Sequence, residues 1–332
     1  MRSPCLKDLP PPPPGRTGWP WTEEGEAFPD AMPDGSTWPR LSIVTPSYNQ
    51  GGFIEETIRS VLLQGYPDLE YILIDGGSQD NTPEIIRRYE PYLACWVSEP
   101  DGGQTDALNK GFARVTGDIV AWLNSDDCYV PATFRNILRW MCPTGGIVRP
   151  IVYGDCELVD AEGRVIKRWH AKPVSTERLL AFWRGGYLIP QQTVFMSRHT
   201  LRDISLDASL RYAMDWELYL RLSMRYPFVP IPEVLARFRM HGLAKTAGGA
   251  RRFAREQLRI SMGYWEPGLQ TIRYRIEYLL APVIQGVCGI PRCVRRVLGW
   301  LLPEQTYDML RGIKRRLLPR HGCPIREEER YL

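Results

Sequence analysis

Residues 117 to 131 read Gly-Asp-Ile-Val-Ala-Trp-Leu-Asn-Ser-Asp-Asp-Cys-Tyr-Val-Pro, and the reading of this stretch decides the fold. Ile119 to Leu123 is an uninterrupted apolar run, long enough for one buried strand and too short for a helix. It runs straight into Asn124, Ser125, Asp126 and Asp127, so two adjacent carboxylates stand at the C-terminal end of a strand. Open α/β sheets place their ligands beyond that edge, and hard oxygen donors there suit a divalent cation carrying a phosphorylated substrate. Such a pair can also simply open a helix, here one beginning near Pro131, and only the neighbouring sequence separates the two readings.

Upstream, the same unit occurs three more times. Leu41-Ser-Ile-Val-Thr-Pro is a strand that ends at Pro46 and leads through Ser-Tyr-Asn-Gln-Gly-Gly into a helix with Ile54, Ile58, Val61 and Leu62 on one face. Tyr71 to Ile74 is a second strand, ending at Asp75; after Gly76 to Asn81, Thr82 is expected as the N-cap of a helix with Pro83 at its first position. Asp80 reads as part of the same helix start. A third strand, Ala94 to Ser98, leads to Glu99-Pro-Asp-Gly-Gly-Gln-Thr-Asp and a helix carrying Leu108 and Phe112. Four successive strand-to-helix units predict an α/β fold, a Rossmann-type, mostly parallel sheet flanked by helices, with right-handed crossovers bringing all four loops to one edge. Thr45 to Asn49, Asp75 to Asp80, Asp101 to Lys110 and Asn124 to Asp127 would then share a site. Its acid-rich walls would repel a bare diphosphate, so such a ligand needs a metal between.

Downstream of residue 142 the alternation breaks. Ile151 to Asp155 and Leu158 to Ile166, with Asp-Ala-Glu-Gly between apolar stretches, read as a hairpin, and Pro190 to Met196 as a further strand. Tyr212-Ala-Met-Asp-Trp-Glu-Leu-Tyr-Leu places Asp215 and Glu217 in the first turn of a helix that buries Leu218 and Leu222. Val234 to Arg239 is a strand opening into a loop with His241, one of four histidines.

The segments SIVTPSYNQGGFIEETIRSVLLQ, YILIDGGSQDNT, SEPDGGQTDALNKGF and GDIVAWLNSDDCYVP together resemble glycosyltransferase family 2, whose members have the GT-A fold and invert the anomeric centre. The resemblance runs over about residues 41 to 240, in matching order. It implies that Thr45, Pro46, Tyr48 and Asp75 surround the nucleotide base and ribose, with Asp75 accepting from a base N–H. It further implies that Asp101, Gly103, Asn109 and Lys110 close over the nucleotide, and that Asn124 to Asp127 takes the place of the DxD motif. Asn124 departs from that motif, where aspartate is frequent, and the metal, Mg2+ or Mn2+, falls to Asp126 or Asp127 with His241 as a third ligand. Asp215 corresponds to the general base, with Glu217 as the rival carboxylate. The implied activity is transfer of a sugar, as in a hexosyltransferase, from a nucleotide-diphosphate sugar to a hydroxyl of a glycan or lipid-linked acceptor, in polysaccharide or glycolipid assembly. A nucleotidyltransferase would share the nucleotide-binding design but would typically carry basic residues in its first loop, and none lies between Thr45 and Ile54. A non-catalytic nucleotide-sugar-binding module would have no need of Asp215.

Composition sets the frame around this core. The chain has 332 residues, 44% of them hydrophobic, enough for one large core with an appended element. Eight cysteines without CxxC spacing suggest reduced thiols in a cytoplasmic setting, and no signal peptide is expected before the prolines Pro10 to Pro14. Residues 1–40 hold ten prolines and read as a disordered or extended tail, with Trp19, Trp21 and Trp38 as docking points on the domain that follows. The catalytic domain is expected over 41–250, with a donor half at 41–142 and an acceptor half at 143–250. Between 251 and 320 stand fourteen Lys or Arg against five Asp or Glu, a local charge of +9 in a chain of net +4. In this 251–332 helical extension, Val294, Val297, Leu298, Leu301 and Leu302 recur at helical spacing beside Arg292, Arg295 and Arg296, and Leu310, Ile313 and Leu317 repeat the pattern. Such basic amphipathic helices either lie on an anionic membrane, here the inner face, or pack on the catalytic domain; neither can span a bilayer. No nucleic-acid partner is expected.

Overall fold

The computed structural model describes residues 4–143, 146–147, 149–182, 189–201, 205–242 and 250–264. The described residues up to Leu179 and from 189 to 242 form one compact unit; residues 180–182 and 250–264 belong to a second. The helical extension from residue 265 onward, with both expected amphipathic helices, lies outside the described residues.

The first unit begins with the expected alternation: β1 (Leu41–Ser47), α1 (Ile54–Leu62), β2 (Leu69–Asp75), α2 (Thr82–Tyr89), β3 (Cys95–Ser98), α3 (Gln104–Phe112) and β4 (Ile119–Trp122). β1 lies between β2 and β4, parallel to both, and β2 is parallel to β3. The apolar runs that defined these strands are buried, with Ile43, Val44, Tyr71, Leu73, Ile119 and Ala121 at 1% exposure or less. On α1, Ile54, Ile58, Val61 and Leu62 fill the space beneath the sheet, as their spacing requires. α3 approaches β1 so closely that a Cβ on Gly111 would stand 2.3 Å from Val44 Cγ1, so only glycine fits there.

Beyond β4 the sheet becomes mixed. β5 (Cys128–Tyr129), α4 (Thr133–Met141), β6 (Ile151–Val159), β7 (Val165–Trp169), α5 (Thr176–Leu180), β8 (Phe195–Ser197), α6 (Met214–Ser223) and β9 (Phe228–Arg239) follow in the chain. The order across the sheet is β3-β2-β1-β4-β8-β6-β9-β5, with β7 added alongside β6. β8 is antiparallel to both β4 and β6, and β9 is parallel to β6. Two reversals restore direction, so β9 ends at the same edge as β4. The chain after β9 can therefore meet the acidic loop after β4.

Three expectations need correction. Thr82 is the first residue of α2 and Asn81 its N-cap, because Asp80 Oδ1 captures both the Thr82 N–H (3.0 Å) and its hydroxyl (2.5 Å). Pro190 to Met196 is not a strand throughout: Gln191–Thr193 form a 3-10 turn, and pairing starts only at Phe195. Residues 4–40 carry no helix or strand, yet they are not a disordered tail. Leu9, Trp19, Trp21 and Met32 are buried, and Trp19 Nε1 donates to the Tyr129 carbonyl at 2.8 Å. From α1, the buried guanidinium of Arg59 donates to the carbonyls of Pro10 (2.8 Å), Pro20 (3.0 Å) and Trp21 (3.0 Å). A proline-rich backbone lacks N–H donors and leaves carbonyls to be satisfied, and a guanidinium fork supplies several donors at one place. The hairpin stands as read: Asp160 accepts from the backbone of Glu162 and Arg164 and closes the turn between β6 and β7.

Candidate active site

The loops after β1, β2 and β3 are knitted together at the carboxyl edge. Asn49 N donates to Ser78 Oγ (2.7 Å), its side chain accepts from Gln79 N (2.9 Å), and Gly76 N donates to the Ser47 carbonyl (2.8 Å). Asp75 closes this corner. It is fully buried, and its carboxylate accepts from Ser78 N (2.9 Å), Ser78 Oγ (2.5 Å) and Ser98 Oγ (2.7 Å). A Cβ on Gly76 would meet Asp101 Oδ2 at 2.9 Å, so the glycine lets the loop after β3 approach. Burial raises the Asp101 pKa, and its Oδ1 accepts from Gly103 N at 2.7 Å. Tyr48 projects from this corner, 58% exposed.

Several expected donor-site residues have their polar atoms occupied by the protein itself. Thr45 is buried in β1, its hydroxyl 3.1 Å from Tyr71 Oη, and Pro46 is in register with Ile74. The Asn109 amide makes a two-way bond with Leu206, donating to its carbonyl and accepting from its N–H at 2.9 Å each. Lys110 pairs with Glu99 (3.2 Å) and Asp106 (3.4 Å).

The loop after β4 separates the two adjacent carboxylates. Asp127 is 1% exposed; its Oδ1 accepts from Arg239 N at 3.0 Å, and the side chains of Gln192 and Asn124 also hydrogen-bond to it. Burial, and then the neighbouring Asp126, raises its pKa well above the usual carboxylate range. Asp126 is partly exposed, and its Oδ2 lies 3.1 Å from His241 Nε2. Asn124 accepts from Gln104 Nε2 (2.7 Å) and donates to Gln191 Oε1 (3.2 Å) and Asp127 Oδ2 (3.4 Å). An aspartate at 124 would lose both donated bonds and add a like charge beside Asp127. The departure from the acidic motif is thus consistent with the surroundings.

Asp215 is the second residue of α6, where its Oδ1 accepts from Trp216 N at 2.7 Å. The rival Glu217 is buried and ion-paired with Arg221 at 2.7 Å, one helical turn on. α6 rests on β4 through Tyr219, whose ring stacks on Trp122 with centroids 6.0 Å apart. From α3, Thr105 Oγ1 donates to the Leu210 carbonyl at 3.1 Å, so the helix after β3 also holds the chain that leads to Asp215.

Gln191, Gln192, Gln104 and Arg239 were not among the residues singled out from the sequence. For the glutamines the signal was present: two consecutive amides between Pro190 and an apolar strand are poor core residues unless they bond to something buried. Gln191 Nε2 does so, donating to the Trp122 carbonyl at 3.0 Å.

Comparison with known proteins supports the same assignment. A family model described as glycosyl transferase family 2 matches residues 42–201. An uncharacterized glycosyltransferase of Mycobacterium tuberculosis is 31% identical over 211 residues, covering 62% of this chain and 77% of that protein. An uncharacterized glycosyltransferase of Rickettsia typhi is 30% identical over 217 residues, covering 63% of this chain and 66% of that protein. Among solved structures, residues 1–349 of S. aureus TarS in complex with UDP-GlcNAc are similar with a TM-score of 0.57 at 15% identity, covering 82% of this chain and 83% of that fragment. The mannosyltransferase PcManGT of Pyrobaculum calidifontis, in complex with GDP-Man and Mn2+, has a TM-score of 0.54 at 18% identity over 89% of this chain and 91% of its own. These two likenesses bear on the fold, which is GT-A. The chain belongs to glycosyltransferase family 2.

Proposed function

We propose that this chain is a metal-dependent inverting glycosyltransferase that moves a sugar from a nucleotide-diphosphate sugar to a hydroxyl of a glycan or lipid-linked acceptor, in polysaccharide or glycolipid assembly. The observation that carries the reading is the contact between Asp126 and His241, 3.1 Å apart at the sheet edge where the nucleotide loops converge. A carboxylate oxygen and an imidazole nitrogen form a fitting donor pair for Mn2+ or Mg2+. Among the described residues no group of three or more His, Cys, Asp or Glu is placed to hold a metal, so the remaining coordination positions would fall to diphosphate oxygens and water. Similar folds bind UDP-GlcNAc in TarS and GDP-Man with Mn2+ in PcManGT, in keeping with a nucleotide-sugar donor. When bound, the cation would neutralise charge on the departing diphosphate.

The chain's own residues supply the rest. Tyr48, exposed beside the loops after β1 and β2, offers a ring face to a base. Asp75 is covered by Ser78 and Ser98, so contact between its carboxylate and a base N–H requires those hydroxyls to turn away. Asp215 takes the proton of the acceptor hydroxyl as that oxygen bonds to the anomeric carbon and the bond to the diphosphate breaks; one displacement inverts the centre. Glu217 is committed to Arg221, which supports Asp215 over its rival.

Saturable binding of UDP- and GDP-sugars, with and without Mn2+, tests the reading. Asp126→Asn should remove the metal-dependent part of donor binding. Asp127→Asn should retain most of it, because an amide oxygen still accepts from Arg239 N. Undiminished metal-dependent binding in Asp126→Asn would sink the assignment.

We further place the basic extension on the inner face of an anionic membrane. Within α7 (Ala250–Tyr264), Arg252, Arg255 and Arg259 are exposed at helical spacing. No helix among the described residues is long and apolar enough to cross a bilayer. Full-length protein should sediment with anionic liposomes at low salt; failure to do so favours helices that belong to the fold.

A further inference from the structure

Arg239 is the last residue of β9 and only 2% exposed, a position where an unpaired guanidinium would be strongly destabilising. Its donors reach three separate segments. Nε donates to the Asp126 carbonyl at 3.1 Å, and Nη1 to the carbonyls of Asp160 (3.4 Å) and Ala161 (3.0 Å) in the turn between β6 and β7. Nη2 lies 2.9 Å from Glu56 Oε1 on α1, a second buried charge. The Arg239 backbone N–H meanwhile holds Asp127 Oδ1 at 3.0 Å.

Thr57, next to Glu56, works on the same loop. Its hydroxyl lies 3.0 Å from the Ser125 carbonyl and 2.7 Å from that of Asp127. The Asp126 carbonyl is therefore fixed by the Arg239 guanidinium, the flanking Ser125 and Asp127 carbonyls share the single Thr57 hydroxyl donor, and the Asp126 carboxylate is left turned to His241. The Phe53 ring contacts both Arg239 and His241, its centroid 5.3 Å from the Arg239 guanidinium carbon and 4.6 Å from the His241 ring centroid. One buried cation thus fixes the backbone beneath Asp126 directly and backs the ring against which His241 packs.

We infer that Arg239, with Glu56 as its counter-ion, is a positioning residue that holds Asp126 and His241 in register for a divalent cation. The inference rests on the reading of those two side chains as metal ligands. Arg237, two residues earlier on β9, is the natural control: it pairs with Glu157 at 3.1 Å, and its side chain is 29% exposed.

The test is an Mn2+ titration of the full chain followed by electron paramagnetic resonance, alone and with UDP or GDP, with melting temperature recorded in parallel. Groups that orient metal ligands typically change affinity by roughly 10- to 100-fold when replaced, and that loss is expected for Arg239→Lys, which keeps the charge but not the fork. Glu56→Gln should show a loss in the same direction, and Arg237→Lys should bind Mn2+ like wild type. A role confined to stability would lower the melting temperature and leave Mn2+ affinity unchanged. Arg239→Lys binding Mn2+ as tightly as Arg237→Lys overturns the inference; if Arg239→Lys does not fold, wild-type affinity in the isosteric Glu56→Gln does the same. Loss of Mn2+ in Asp126→Asn but not in these variants defeats the positioning role alone, whereas wild-type protein that takes up no Mn2+ under either condition defeats the ligand reading and the inference with it.

Discussion

Residues 41–142 and the described residues between 146 and 242 build one sheet edge by different means. In the first stretch many of the bonds that shape the loops are local: Ser78 reaches back to Asp75, Gly103 to Asp101 and Thr82 to Asp80, over two or three positions. In the second stretch the bonds that matter are long. Arg239 reaches Asp126 across 113 positions, Leu206 meets Asn109 across 97, and Gln191 meets Trp122 across 69. Local bonds form wherever the loop forms, whereas long ones exist only once the whole sheet is assembled. Residues proposed for chemistry therefore depend on packing far from them, and mutations in the two regions should fail differently.

The largest effect is expected at Asp215, in the first turn of α6. If it is the base, Asp215→Asn should lower kcat by roughly 10²- to 10⁴-fold and leave the donor KM nearly unchanged, since the base acts only when the acceptor proton moves. Glu217→Gln should instead appear in the melting curve, because it strips Arg221 of its partner. Steady-state kinetics with a donor that wild type turns over distinguishes the two; a dead Glu217→Gln beside an active Asp215→Asn would reverse the roles.

The same division explains what was legible beforehand. Four βα units, their order and their common edge could be read because each rests on a short apolar run followed by turn-forming residues, a pattern carried within about 25 positions. The hairpin closed by Asp160 was legible for the same reason. Asp126 and Asp127 could be picked out but not separated, because the N–H that buries one of them comes from Arg239, and nothing local points that far. Gln191 and Gln192 were hidden in what looked like a strand. Their amides serve groups on β4 and in its loop, and that pairing becomes visible only when β8 lies beside β4. Asn109 and Lys110 show the converse: residues in a donor-like motif whose polar atoms are paired within the protein.

The N-terminal segment tests whether long contacts also carry stability. Trp19 is buried in the core cluster with Tyr129 and donates to that residue's carbonyl, 110 positions away. Trp19→Ala should cost about 3–5 kcal/mol, as large core truncations do, read as a shift in the midpoint of chemical denaturation. A disordered tail would show a change within about 0.5 kcal/mol, the range of ordinary surface substitutions.

The smallest effect is expected at Lys110, where the family motif and the geometry point in different directions. Its place in the loop and helix after β3 makes it a candidate for contact with donor phosphates, yet its ammonium lies 3.2 Å from Glu99 and 3.4 Å from Asp106, the latter one helical turn away. Those carboxylates are themselves 55% and 40% exposed, so the pairs are surface contacts that solvent and salt largely screen. Lys110→Gln should therefore leave the melting temperature almost unmoved. Its donor affinity is the informative quantity: a lysine occupied by Glu99 and Asp106 predicts a donor KM close to wild type at every salt concentration. A lysine that leaves them to meet the diphosphate predicts a raised KM in the variant, and the difference from wild type should narrow as salt screens the charge. That second outcome would show the loop after β3 changing partners on donor binding, and the local bonds of the donor half would then be a resting arrangement rather than the working one.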